Sequence, residues 1–191
     1  MRCLMPAVLI LCMVGARATA ADMPRFVQQY ADAYIHAHPD EQARSMRPLA
    51  DEYARWFLRG FINPRGGMRE PSDIDGAAYT EGQAYGRAHP DERAAIFADF
   101  GYVPVATTGV WRLGFETMAF RPDDSDEHGW WMRPFGEVSW TDLGLVPPDR
   151  KNGAHNFRVH IEGYVSPVGQ YGHMGGFPRE VVVLSGGPAA E

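Results

Sequence analysis

The sequence predicts an α+β protein: an N-terminal group of three to four helices packed on a small C-terminal antiparallel β-barrel or curled sheet, OB-like in its strand order. Three observations predict it. Apolar residues recur at helical spacing through residues 23–100, and from residue 103 they alternate as in half-buried strands. About 170 residues remain once an N-terminal export signal is set aside, which is enough for one good core. The expected segments are a signal peptide over 1–20, a helical region over 21–102, a barrel over 103–187 and a flexible tail over 188–191.

The first helix is read from Phe26, Tyr30 and Tyr34, with Val27 and Ala31 beside them and Pro24 suiting its first turn. A second stripe runs through Leu49, Tyr53, Trp56, Phe57 and Phe61. It stops at Asn63-Pro64-Arg65-Gly66-Gly67, a strong breaker. A third helix starts near Asp73 or Asp75 and carries Ala78, Gly82 and Gly86 at spacing four, with Tyr79 and Tyr85 alongside. A mid-helix glycine costs roughly 1 kcal/mol against alanine, so two of them imply close packing against another helix. Pro90 opens a fourth helix through Ile96, Phe97 and Phe100, ended by Gly101.

This half contains an internal echo. Residues 33–43 recur 51 positions later as 84–94, with eight of eleven identical, including Tyr-x-x-Ala-His-Pro-Asp-Glu. The spacing predicts a helix that ends at the histidine and a new helix that starts at the proline. Its first-turn Asp and Glu suit the positive end of the helix dipole. A functional reading would make His38 and His89 a matched pair of ligands; the structural reading is preferred.

In the β half, residues 109–120 alternate, with Trp111, Leu113, Phe115, Thr117 and Ala119 on one face and Arg112, Glu116 and Met118 on the other. A polar turn follows over 121–126. Residues 130–135 form a short aromatic strand, and 137–140 extend it or form another. After a loop over 147–153, residues 157–165 alternate cleanly. A glycine-rich loop over 167–176 leads to a last strand over 179–185, and 186–191 read as a frayed tail. Four to six strands of this length suit a small barrel.

The first 20 residues read as a cleavable export signal. Arg2 gives a positive start, residues 4–14 an apolar core too short to span a membrane, and Ala18-Thr19-Ala20 a cleavage site before Ala21. A retained anchor and a lipidated Cys12 are the weaker alternatives, since Leu11 precedes that cysteine. Both cysteines, Cys3 and Cys12, leave with the signal, so the mature chain has no thiol for catalysis, metal or disulfide. Cleavage removes Arg2 and Arg17, leaving 16 basic against 24 acidic residues and a net charge of −8. An acidic surface repels phosphate backbones and anionic headgroups, so no nucleic-acid role and no stable membrane insertion is expected. Lys151 is the single lysine and lies in a loop, which disfavours Schiff-base chemistry.

No catalytic motif stands out, and no cofactor or metal is expected. His128, His155, His160 and His173 are the raw material for a site, yet no metal-ligand spacing is present. His155 and His160 share a face only if the strand begins after His155. Asp123, Asp124, Asp126 and Glu127 lack the spacing of a calcium loop. The segment 171–176, Tyr-Gly-His-Met-Gly-Gly, either lines a cleft or makes a tight structural crossing. Adjacent Trp130 and Trp131 must face opposite ways, so one of them reaches the surface or the helical half. Exposed tryptophans suit recognition of partners or sugars. The ligand-binding candidates are therefore Tyr171, His173, Trp130, Trp131, Glu162 and His160. The leading expectation is a periplasmic or secreted non-catalytic protein that binds an envelope protein or a small ligand through its aromatic-rich β region. The rival is an envelope-polymer hydrolase using Glu116 and Glu162 as a carboxylate pair, or His173 with a carboxylate.

Overall fold

A computed structural model describes residues 23–65, 73–114, 117–125, 129–136, 138, 139, 141–144 and 155–190. Among them are five α-helices: α1 (Arg25–Ala37), α2 (Pro39–Arg44), α3 (Leu49–Ile62), α4 (Ile74–Ala88) and α5 (Arg93–Asp99), the last preceded by a 3₁₀ turn at Pro90–Glu92. Five strands follow: β1 (Val103–Gly114), β2 (Thr117–Pro122), β3 (Trp130–Pro134), β4 (His155–Val165) and β5 (Glu180–Pro188). They close a barrel in the order β1-β2-β3-β5-β4. The protein is thus α+β with a small barrel. None of the described helices is long and apolar enough to cross a membrane.

The helical stripes lie where their periodicity placed them. Val27, Ala31, Tyr53, Phe57, Ile74 and Ala78 form one buried cluster among α1, α3 and α4. Asp73 caps α4 by accepting the Gly76 N–H at 3.0 Å. The small-residue stripe does bring two helices together, and α3 supplies a glycine of its own. A methyl on Gly60 would overlap the Tyr79 carbonyl oxygen, and one on Gly82 the Phe57 carbonyl oxygen. The two backbones therefore touch where both side chains are missing.

The sequence echo is a structural one. His38 and His89 end α1 and α4 with nearly the same backbone angles, φ −130°, ψ 57° and φ −128°, ψ 57°. Each ring stacks on the tyrosine four residues earlier, His38 on Tyr34 at 4.1 Å and His89 on Tyr85 at 4.2 Å. Each tyrosine hydroxyl reaches the glutamate of the next turn, Tyr34 to Glu41 and Tyr85 to Glu92, both at 2.8 Å. Burial and the accepting carboxylate push the Tyr85 phenol up to about 12 and raise that of Tyr34 in the same direction.

Three expectations for the barrel are corrected. Residues 109–120 are not one strand. β1 ends at Gly114 and β2 begins at Thr117, with Trp111 opposite Phe120 and Leu113 opposite Met118. Directly opposed residues share a face, so Met118 and Phe120 join Trp111, and Ala119 opposes Arg112. No Gly, Pro, Asn or Asp stands at 115 or 116 to announce the reversal. Nor is the barrel wholly antiparallel: β3 and β5 run parallel, with Trp131 opposite Glu180 and Pro134 opposite Val183. A parallel pair needs a long crossover, and here β4 lies within it. β5 also runs past its expected end. Gly187 pairs with His160, Pro188 pairs with Val159, and the Ala189 N–H donates to the Arg158 carbonyl at 3.0 Å.

The barrel is filled by Trp111, Phe120, Trp130, Met132, Val159, Ile161, Val181 and Val183. On the outer side, Val182 and Phe135 share a buried cluster with Leu58, Phe61, Ile62, Ile96 and Phe97 from the helices. Phe97 stacks on Tyr164 at 4.4 Å, and Arg93 lies over the Phe135 ring at 4.2 Å.

Candidate functional site

The connection between β4 and β5 brings three of the six candidate residues together. It is folded back on itself as a short two-stranded ladder. The Tyr171 N–H donates to the Phe177 carbonyl at 2.9 Å, and the Phe177 N–H returns to Tyr171 at 3.2 Å. Outside that pair the Gly169 N–H donates to the Pro178 carbonyl at 2.8 Å, and the Trp131 N–H donates to the Arg179 carbonyl at 2.8 Å. The connection is therefore held along its length, its tip being the 3₁₀ turn His173–Gly175.

Trp131 faces outward from β3 and supports this ladder. Its ring lies 5.4 Å from that of Phe177. Gly172 has φ +71°, and a methyl on it would stand 2.5 Å from the Trp131 ring and 2.9 Å from Phe177. Only glycine satisfies both the backbone and the contact. Beyond it, His173 is exposed, while Met174 is 92% exposed with φ +53°. Val168, on the same connection, is 48% exposed. Val103, at the same end of the barrel opposite the last residue of β4, is 54% exposed.

Tyr171 turns the other way, toward a polar cluster that sequence reading missed. Burial raises its phenol above the usual tyrosine value; a hydrogen bond with Ser166 works against this, and the Glu180 charge adds to it. Glu180 opens β5 and is 6% exposed. It accepts the Tyr102 hydroxyl at 2.7 Å and lies 3.4 Å from the Arg133 Nε. That nitrogen is buried and makes no hydrogen bond, so Arg133 contributes charge rather than a directed bond. Burial and the adjacent carboxylate hold the Tyr102 phenol well above its usual value. The Glu180 N–H donates to the Ser166 hydroxyl at 2.9 Å, and Arg179 donates to the Ser166 carbonyl at 2.7 Å. The one available signal was a charged residue heading the apolar run Val181–Leu184. Its partners lie on other elements and could not be found by spacing.

The remaining candidates lie elsewhere. Trp130 faces the barrel interior, 8% exposed, beside Phe120, and presents no ligand surface. His160 and Glu162 sit on the outer face of β4. Glu162 accepts the Ser185 hydroxyl at 2.8 Å and stands 3.8 Å from the His160 Nε2. Both are well exposed, and Glu162 borders a shallow groove of about 320 Å³ with Pro104, Tyr164 and Leu184. His155 begins β4, so it lies on the opposite face from His160 and the two do not converge. Among the described residues no group of three or more His, Cys, Asp or Glu is placed to hold a metal ion. Glu116, His128 and Trp140 lie outside the described residues. No family model matches the chain, and neither a curated protein nor a solved structure is similar to it at a significant level.

Proposed function

We propose that this is an exported, non-catalytic binding protein of the cell envelope, and that the β4–β5 connection is its recognition element. Met174 carries the reading. A methionine in left-handed backbone is strained, and one left almost wholly in water adds nothing to folding. A flexible thioether held out at the tip of a braced loop suits contact with a partner. His173 and the outer edge of Trp131 complete the contact surface, and Tyr171 holds the loop from beneath. Acidic surface charge, and the lack of a converged catalytic group among the described residues, support binding over hydrolysis.

The finer architecture belongs to the same proposal. The helices and the barrel form one unit through the cluster around Phe97 and Val182. The barrel is OB-like, since five strands in the order 1-2-3-5-4 with a long β4–β5 loop suit that plan. OB barrels bind along the strand 2–3 face and the loops beside it, where Trp131 and Met174 lie. This is a fold analogy and argues only for the place, not the ligand. Export rests on the signal-like first 20 residues. N-terminal sequencing from a Gram-negative host should find a start at Ala21; Met1 retained in a soluble cytoplasmic fraction would refute it.

The binding claim is tested by capture from an envelope extract with the wild-type chain and with the double variant His173→Ala, Met174→Ala. A discrete protein recovered by the first and lost with the second supports the proposal. Equal recovery by both overturns it.

A further inference from the structure

The two His-Pro corners share their geometry but not their surroundings. Phe97, eight residues after His89, is fully buried against Tyr164 of the barrel and Phe61 of α3. The residue eight after His38 is Met46, and it is wholly exposed. α2 buries none of its residues and ends at Arg44, where α5 continues to Asp99. Just before Met46 in the chain, Arg44 and Ser45 help line a groove of about 410 Å³ between α2, α3 and the start of α4. Leu49 and Ile74 form its apolar floor, and Glu41, Glu52 and Asp73 its rim, against a single Arg44. Asp75, just beyond Ile74, has its carboxyl raised by burial first and then by Glu52 and Asp73, with Arg55 and Arg59 opposing.

We infer that this groove docks a basic segment of another protein, an aliphatic side chain lying on Leu49 and Ile74 and a cation meeting Glu52 and Asp73. Charge complementarity selects the occupant: Glu41, Glu52 and Asp73 outnumber Arg44 and the exposed Arg55, which lies 3.4 Å from Glu52 and gives way to the incoming cation, and a second copy of this acidic chain is repelled. The site is separate from the β4–β5 connection, so either proposal stands if the other fails.

The test is an amide-resolved NMR titration of the mature chain with N-acetyl-leucyl-arginine amide, and with N-acetyl-leucyl-glutamate as its anionic counterpart. Shifts should concentrate at residues 41–52 and 73–76 with the arginine peptide alone. Exposed charge pairs are individually weak, so Glu52→Gln should loosen binding about two- to fivefold and Arg44→Gln should tighten it by a similar factor. Glu52 caps no helix, and unchanged dispersion of the other amides would show that its variant folds. Equal response to both peptides, scattered shifts, no response, or no effect of either substitution would each overturn the inference.

Discussion

Met174→Asn should make the protein more stable and less able to bind. An L-residue in the left-handed region is penalised by roughly 1–2 kcal/mol, and asparagine largely escapes this through local hydrogen bonding. Met174 has φ +53° and ψ +19°, and at 92% exposure it has little packing to lose. The substitution should therefore stabilise the fold by about 1 kcal/mol, a rise of ~2–4 °C in Tm for a chain of this length. Thermal melting followed by circular dichroism reads the first effect, and capture from envelope extract the second. Met174→Ala separates the two causes. It keeps the Cβ and the strain, so its stability should stay within about 0.5 kcal/mol of wild type, while capture falls as for Met174→Asn. If Met174→Asn fails to raise Tm, the strain argument is wrong. If Met174→Ala still captures the partner fully, the side chain is not the contact.

Gly82→Ala should destabilise strongly, by about 1–3 kcal/mol or more, because its methyl meets the α3 backbone at Phe57. Gly86→Ala should cost less, since the methyl would lie 3.2 Å from both the Phe61 ring and its carbonyl, and urea melts of the pair should rank them so. Glu180→Ala leaves the partly exposed Arg133 without its counter-charge and the buried Tyr102 hydroxyl without its acceptor, and should cost about 1–3 kcal/mol. Tyr102→Phe removes only a hydroxyl donor and should cost about 1–3 kcal/mol. Asp75 has a folded pKa above its unfolded value, so its ionisation opposes folding at neutral pH. Stability should gain as pH falls from above that raised value toward about 3.9, the ordinary aspartate value, and Asp75→Asn should remove this part of the profile while raising stability at pH 7. A fragment of residues 103–191 should aggregate, because it exposes Tyr164, Val182 and Phe135; a soluble fragment with sharp, dispersed amide signals would show two separate domains.

The helices were legible because their stripes, prolines and caps are local signals. α4 begins one residue after Asp73, and the small-residue spacing announced a close helix contact. Gly60 was not singled out, since one glycine in an aromatic stripe carries no period. In the barrel, alternation gave the strands but not the reversal at 115–116, where turn residues are missing. The inward and outward assignment of Trp130 and Trp131 needed only the pleat; which one was inward needed the register with Phe120. The conformation of Gly172 was foreshadowed by its glycine-rich setting. The Tyr102–Glu180–Arg133 cluster was not legible, because its members are joined by the fold rather than by spacing. The echo showed that two corners exist, yet nothing in it said that one would be covered and the other bare.

The parallel pairing of β3 with β5 makes order of synthesis matter. β5 fills the gap between β3 and β4, so the barrel has no closed form until residues 180–188 are in place. Until then β3 and β4 both present open edges, and these are sticky. Loss of residues 180–188 by a nick or a premature stop would leave an open sheet with two unpaired rims, a target for proteolysis rather than a weakened version of the same molecule.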